Sequence, residues 1–215
     1  MIKAVLFDLD GVLVDSEVIS SEASERILRE AGIVQTPKER MMVFGRRTID
    51  NYKRAIEARG LNVDPRELVK KKNALFAKLI RGRLKPLLGV VDLIRNLKSN
   101  KFKIAVVSSS PLDRVNASLN EVKLRMEFDL ILSGDCCVKG KPDPEPFLLA
   151  AKRLDVKPED CAVIEDAQAG IEAGKAAGMK VVAVRSPNTH GQDLSKADVI
   201  VDSLKEVDVD FIRRL

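Results

Sequence analysis

A parallel β-sheet covered by helices on both faces, interrupted once by an all-helical insertion, is the architecture this sequence predicts. Three observations carry it. Six short runs rich in Val, Ile and Leu recur along the 215 residues. Amphipathic segments of helical period separate most of them. Residues 15–83 break the alternation with helical pattern alone. Near-continuous apolar strands belong to sheets buried on both faces. Strands that alternate with helices read as the crossover units of a parallel sheet.

In chain order, the strands are expected at residues 2–7, 103–107, 129–132, 161–164, 180–184 and 198–201. Helices are expected between them at 90–98, 111–122, 144–154 and 169–177. Within the insertion the helical pattern covers 16–31, 37–44, 48–59 and 65–80, with Gly32, Gly45 and Gly60 placed as turns or C-caps. The expected division is a core of residues 1–14 and 84–215 and a helical cap domain of residues 15–83. Lys70, Lys71 and Lys72 read as a solvated helix face.

Bulk composition narrows the function. No apolar stretch approaches the ~20 residues of a membrane span, and the chain enters its first strand at once, so neither a span nor a leader is expected. Three cysteines, Cys136, Cys137 and Cys161, lack the spacing of a zinc site and are odd in number, which argues against a disulfide framework. A cytoplasmic protein is expected. The only histidine, His190, lies in a Pro/Asn/Gly-rich loop, so chemistry through a histidine base is disfavoured. Residues 15–83 hold 16 Lys/Arg and 10 Asp/Glu, against 21 and 22 in the rest, so the basic excess belongs to the insertion. A basic surface suits phosphate-bearing metabolites as well as nucleic acid. Aromatics at 4% supply little base stacking and no nucleic-acid motif is present, which argues against nucleic acid.

Ligands of open parallel sheets bind beyond the carboxyl ends of the strands, so the residues after each strand matter most. Asp8 and Asp10 follow the first, Ser108, Ser109 and Ser110 the second, and Glu165 and Asp166 the fourth. The loop after the third ends in Lys139-Gly140-Lys141-Pro142. Each motif alone is unremarkable: a turn, a helix cap, a charge pair. Their joint placement on one rim is the signal. Several carboxylates together repel one another unless a hard cation sits among them, and Mg²⁺ suits a few carboxylates plus a substrate phosphate. Lysine and hydroxyls serve the remaining phosphate oxygens. Ser110-Pro111 is expected as the N-cap and first position of a helix, which points backbone N–H groups at the same rim. Asp8 can attack phosphorus, and Asp10 can protonate a leaving oxygen and later deprotonate water.

These stretches, "DLDGVLVDSE", "IAVVSSS", "KGKPDPEPF" and "VIEDAQAGIEAGKAAGM", resemble the four motifs of the haloacid dehalogenase superfamily, in its phosphatase and β-phosphoglucomutase-like branch. The resemblance spans essentially the whole chain. It implies a Rossmann-like core with a four-helix cap between the first two motifs, acting as a Mg²⁺-dependent phosphatase on a small phosphorylated metabolite such as a sugar phosphate or phosphoglycolate. It further implies Asp8 as the nucleophile that forms an aspartyl phosphate and Asp10 as general acid/base. Ser108 would bind the transferring phosphoryl group, Lys141 rather than Lys139 would neutralise charge, and Gly11 and Ser109 would line the phosphate site. Asp8, Asp10 (through its carbonyl), Glu165 and Asp166 would hold the metal. Halide-releasing members lack a carboxylate at the place of Asp10, which favours phosphoryl transfer here.

Four expectations remain. A β-phosphoglucomutase-like mutase is the alternative, but its cap histidine would fall at Ser20, and the insertion contains no histidine. A non-catalytic phosphate- or nucleic-acid-binding protein is a further alternative. Arg46 or Arg47, at a helix–helix turn of the insertion, is expected to touch an anionic or hydroxyl-rich leaving group. The two-part layout is compatible with a monomer.

Overall fold

The computed structural model describes residues 1–41, 47–185 and 191–215; Gly45, Arg46 and His190 lie outside them. All six expected strands form: β1 (Ala4–Phe7), β2 (Lys103–Val107), β3 (Leu130–Leu132), β4 (Cys161–Glu165), β5 (Lys180–Val184) and β6 (Val199–Val201). They make one parallel sheet of order β3-β2-β1-β4-β5-β6. Strands β3 and β6 start one residue later than the pattern suggests, for a physical reason. Asp129 and Asp198 stand at their entrances, and each carboxylate accepts a neighbouring strand's N–H, from Ile104 and Val181, at 2.8 Å. A side chain takes the place of a ladder carbonyl there.

Side chains alternate between faces, as a pleated strand requires. Val5, Phe7, Ile104, Val106 and Ile164 pack with α5 (Val90–Ser99), α6 (Leu112–Glu121) and α9 (Val209–Arg214). Leu6, Ala105, Val107, Val163 and Val181 pack with α7 (Glu145–Leu154) and α8 (Gln168–Ala176) on the other face. Among the described residues, no helix is long and apolar enough to cross a membrane.

Among the described residues, four helices intervene between β1 and α5: α1 (Glu17–Glu30), α2 (Pro37–Met41), α3 (Thr48–Glu57) and α4 (Pro65–Leu79). Asp64 caps α4 by accepting the Arg66 N–H at 2.8 Å, just before Pro65 at the first helical position. These helices bury an apolar cluster of their own, including Ile27, Leu28, Tyr52, Ile56 and Leu68. Ile19, Ala23, Phe76 and Ile80, at the ends of α1 and α4 nearest the sheet, join the sheet's core instead. The insertion therefore rests on the rim through two helices.

The strand order places a reversal between β1 and β4: the chain grows outward through β2 and β3 on one side, and through β5 and β6 on the other. Register brings Phe7 level with Val106 and Ile164, so the residues after all three strands emerge at one edge. Leu97 of α5 is fully buried beneath this sheet. Leu97→Ala is expected to cost about 2–5 kcal/mol, read as a lower urea midpoint with an unchanged m value.

Candidate active site

Lys141 is the centre of the rim. Its Nζ donates to Asp8 Oδ1 at 2.6 Å, to Glu165 Oε1 at 2.7 Å and to the Val107 carbonyl at 2.9 Å. All three donors of one ammonium are thereby used. Lys139, by contrast, is exposed and pairs with Asp143 at 3.5 Å. The second oxygen of Glu165 accepts the N–H groups of Asp166 (2.9 Å) and Ala167 (3.0 Å). Glu165 lies on bare backbone: a Cβ at Gly170 would come within 1.7 Å of Oε1.

Asp8, Glu165 and Asp166 are all buried, and one oxygen from each lies within 4.8 Å of the others. Asp166 Oδ2 is buried with no hydrogen-bond partner among the described residues. It projects over Gly11, where an added Cβ would approach to 1.9 Å, and Gly11 has φ +90°, a conformation that favours glycine. Burial pushes Asp8 up to about 7 against the pull of Lys141, with Glu165 and Asp10 pushing the same way as burial. Burial, Glu165 and Asp8 likewise hold Asp166 well above the carboxylate range. Burial alone would lower Lys141, but Asp8 and Glu165 outweigh it and hold the ammonium above its usual value. One ammonium serves three carboxylates, so the cluster is short of positive charge, and its oxygens could hold a metal ion.

Asp10 belongs to a different set of partners. Oδ1 accepts from the Ser16 hydroxyl and from Arg114 Nη2 (2.9 Å), and Oδ2 accepts from the Ser110 hydroxyl at 3.0 Å. Burial is the largest single influence and pushes its carboxyl up; Arg114, Ser16, Ser110 and Lys72 together outweigh it, and Asp10 sits below its ordinary range. Two carboxylates two residues apart thus have opposed environments. Ser108 is buried and its hydroxyl accepts the Ser110 N–H at 3.1 Å, which holds the serine turn closed.

A cavity of about 110 Å³ joins Asp8, Asp10, Ser108, Ser109 and Asp166 to the insertion, which supplies Glu17, Ser20, Thr48, Tyr52 and Lys72. Burial pushes Glu17 up to about 7, aided by Asp10, and pulls Lys72 down to about 7, aided by Arg114.

Several expectations are corrected. Lys72 is not on a solvated face but only 4% exposed, because Leu68, Lys72 and Phe76 share one stripe of α4. Ser110 does not cap α6, which starts at Leu112; the Leu112 N–H is taken by Asp135 at 2.8 Å, and the Ser110 hydroxyl is spent on Asp10. Arg47 stands outside this cavity: it pairs with Asp50 at 2.9 Å, donates to the Cys137 carbonyl at 3.4 Å, and lays its stem against Gly140. Arg46 lies outside the described residues. Sequence inspection missed Arg114 and Lys72. Both carried a signal: Lys72 interrupts an apolar i, i+4 stripe, and Arg114 puts a cation in the first turn of a helix, where the dipole disfavours it.

The sequence model described as "Haloacid dehalogenase-like hydrolase" matches residues 5–184. A phosphorylated carbohydrates phosphatase of Thermotoga maritima is 32% identical over 218 residues, covering 95% of this chain and 99% of its own length. A β-phosphoglucomutase of Bacillus subtilis is 33% identical, covering 98% and 93%. Among solved structures, CbbY from Rhodobacter sphaeroides in complex with phosphate superposes with a TM-score of 0.89 at 25% identity, covering 99% of this chain and 100% of that one. With its sheet order, its rim of strand-end carboxylates and these matches, the chain belongs to the haloacid dehalogenase-like hydrolase family.

Proposed function

We propose that the protein is a Mg²⁺-dependent phosphatase of small phosphomonoesters, of the sugar-phosphate or phosphoglycolate type, working through an aspartyl phosphate. The observation that carries this is the Asp8–Lys141 contact of 2.6 Å inside a buried three-carboxylate cluster. It is the arrangement a carboxylate nucleophile needs: a counter-charge that favours the Asp8 anion where burial works against it. The phosphatase and phosphoglucomutase relatives support the same chemistry.

In the first step an Asp8 oxygen bonds to phosphorus as the bond to the leaving oxygen breaks, and Asp10, having first taken up a proton from solvent, gives it to that oxygen. In the second, water bonds to phosphorus, the Asp8–phosphorus bond breaks, and Asp10 takes the water's proton. Lys141 balances charge on Asp8 and the phosphoryl group. Ser108 donates to a phosphoryl oxygen, and Ser109 and the Gly11 backbone line the phosphate site. The donor set fits a hard divalent cation: clustered carboxylate oxygens, one of them buried without a donor, with charge to spare. Asp8, Asp166 and the Asp10 carbonyl would hold Mg²⁺, with Glu165 acting directly or through water. The metal would supply electrostatic stabilisation of the phosphoryl oxygens. Residues 15–83 serve as a cap over a core of 1–14 and 84–215, in a cytoplasmic monomer. Ser20 on the cavity wall, where a mutase of this branch offers histidine, favours water over a sugar hydroxyl as the second acceptor.

Asp8→Asn should abolish p-nitrophenyl phosphate turnover while the thermal melt keeps its cooperativity; a variant that still turns over would end the nucleophile assignment. Mg²⁺ should raise the melting temperature of chelated protein, by about 2.7 kcal/mol of stability at a hundredfold excess over Kd. Gly11→Ala should erase that rise by crowding Asp166, and an undiminished rise would place the ion elsewhere. A panel of phosphorylated metabolites, with and without Mg²⁺, should release inorganic phosphate. Conversion of β-glucose 1-phosphate to the 6-phosphate with a bisphosphate activator, without phosphate release, would establish the mutase instead.

A further inference from the structure

We propose that Arg114 is the positioning residue for Asp10, and that it ties the pose of this carboxylate to helix α4 of the insertion. The proposal rests on the phosphatase function above, in which Asp10 handles the leaving-group proton.

Arg114 lies in the first turn of α6 and is 5% exposed. A buried guanidinium needs a counter-charge. Among the described residues, the carboxylate it pairs with is Asp10, at 2.9 Å. The guanidinium also lies over an aromatic ring: Cζ stands 4.4 Å from the centroid of Phe76, a fully buried residue of α4. One planar group is thus held between a ring of the insertion and a carboxylate of the rim.

The bonds on Asp10 show what the guanidinium adds. An ionised carboxylate offers about four lone-pair positions. Ser16 and Arg114 occupy Oδ1 and Ser110 occupies one position on Oδ2, so the last position, on Oδ2, is left for the cavity that Asp10 lines. Hydroxyls rotate to follow a carboxylate; a guanidinium clamped on a ring does not. Arg114 therefore fixes the plane of Asp10 and the direction of its free lone pair. It takes no proton in either step. Displacement of α4 would carry Phe76 with it and loosen that plane.

A basic leaving oxygen needs the proton from Asp10 as its bond to phosphorus breaks, and p-nitrophenolate does not. The test compares kcat/KM for p-nitrophenyl phosphate with that for the best sugar phosphate from the panel. Arg114→Met should lose about 100-fold on the sugar phosphate, the scale of general-acid catalysis, and less than about 5-fold on p-nitrophenyl phosphate. In an Asp10→Asn background the same substitution should add no further loss on the sugar phosphate. Equal losses on the two esters, or a loss that adds to Asp10→Asn, would overturn the proposal. Should the methionine variant fail to melt cooperatively, Arg114→Lys decides, since it keeps the charge without the planar fork; the same selective loss is expected, smaller in size. Phe76→Leu should show that selectivity more weakly, and an unchanged ratio of the two esters removes the link to α4. If wild-type protein hydrolyses neither ester, or Asp8→Asn still turns over, the phosphatase function itself fails and the role of Arg114 falls with it.

Discussion

Lys141 Nζ reaches Asp8 at 2.6 Å and Glu165 at 2.7 Å, and the rim is organised around that shared ammonium. The side chain itself is 1% exposed. Burying a charge costs several kcal/mol before any pairing offsets it, and a buried ion pair seldom exceeds an apolar replacement in net stability. Stability does not explain such an arrangement, whereas chemistry on a phosphoryl group does. The ammonium favours the Asp8 anion against burial, and Glu165 holds the ammonium. Backbone N–H groups of Asp166 and Ala167 hold Glu165 in turn. Each link is fixed by the one behind it.

The sheet makes that chain of contacts possible. Three of its strands end in register, and their following residues have nowhere to go but the same edge. Lys141 arrives from the loop after β3, and its third bond, to the Val107 carbonyl, anchors it to the end of β2. The insertion closes the space above. It rests on the rim through α1 and α4, and it contributes hydroxyls and the buried Lys72 to the cavity wall. Asp10 stands at the junction, bonded to Ser16 at the start of the insertion and to Ser110 and Arg114 of the core. Of the rim carboxylates, it is the one whose partners come from both sides.

Much of this was legible before any coordinates. The strands announced themselves because a sheet covered on both faces needs unbroken apolar runs, and the site announced itself because polar residues followed those runs four times. The misreadings share a cause. Three lysines in a row suggest a solvated face, yet the neighbours of Lys72 four residues away in each direction are Leu68 and Phe76. Ser-Pro suggests a helix cap at Ser110, yet Asp135, from the turn after β3, does the capping. Arg47 is expected near the leaving group, and in the structure its guanidinium pairs with Asp50, three residues along. In each case a specific packing or pairing in the folded chain, near in sequence for Lys72 and Arg47 and distant for Ser110, outcompetes a sound local preference.

What the amino-acid sequence determined by itself was the parallel sheet, the place of the helical insertion, and which carboxylates, hydroxyls and lysine share an edge. Those follow from hydrophobic period and strand order, which are local and repetitive properties. What only the tertiary structure decided was how the edge is wired: Lys141 between Asp8 and Glu165, Asp166 over Gly11, and Asp10 turned to Arg114. Such pairings depend on angles and on distances of about 3 Å between residues up to a hundred or more positions apart, and no periodicity in the chain encodes them.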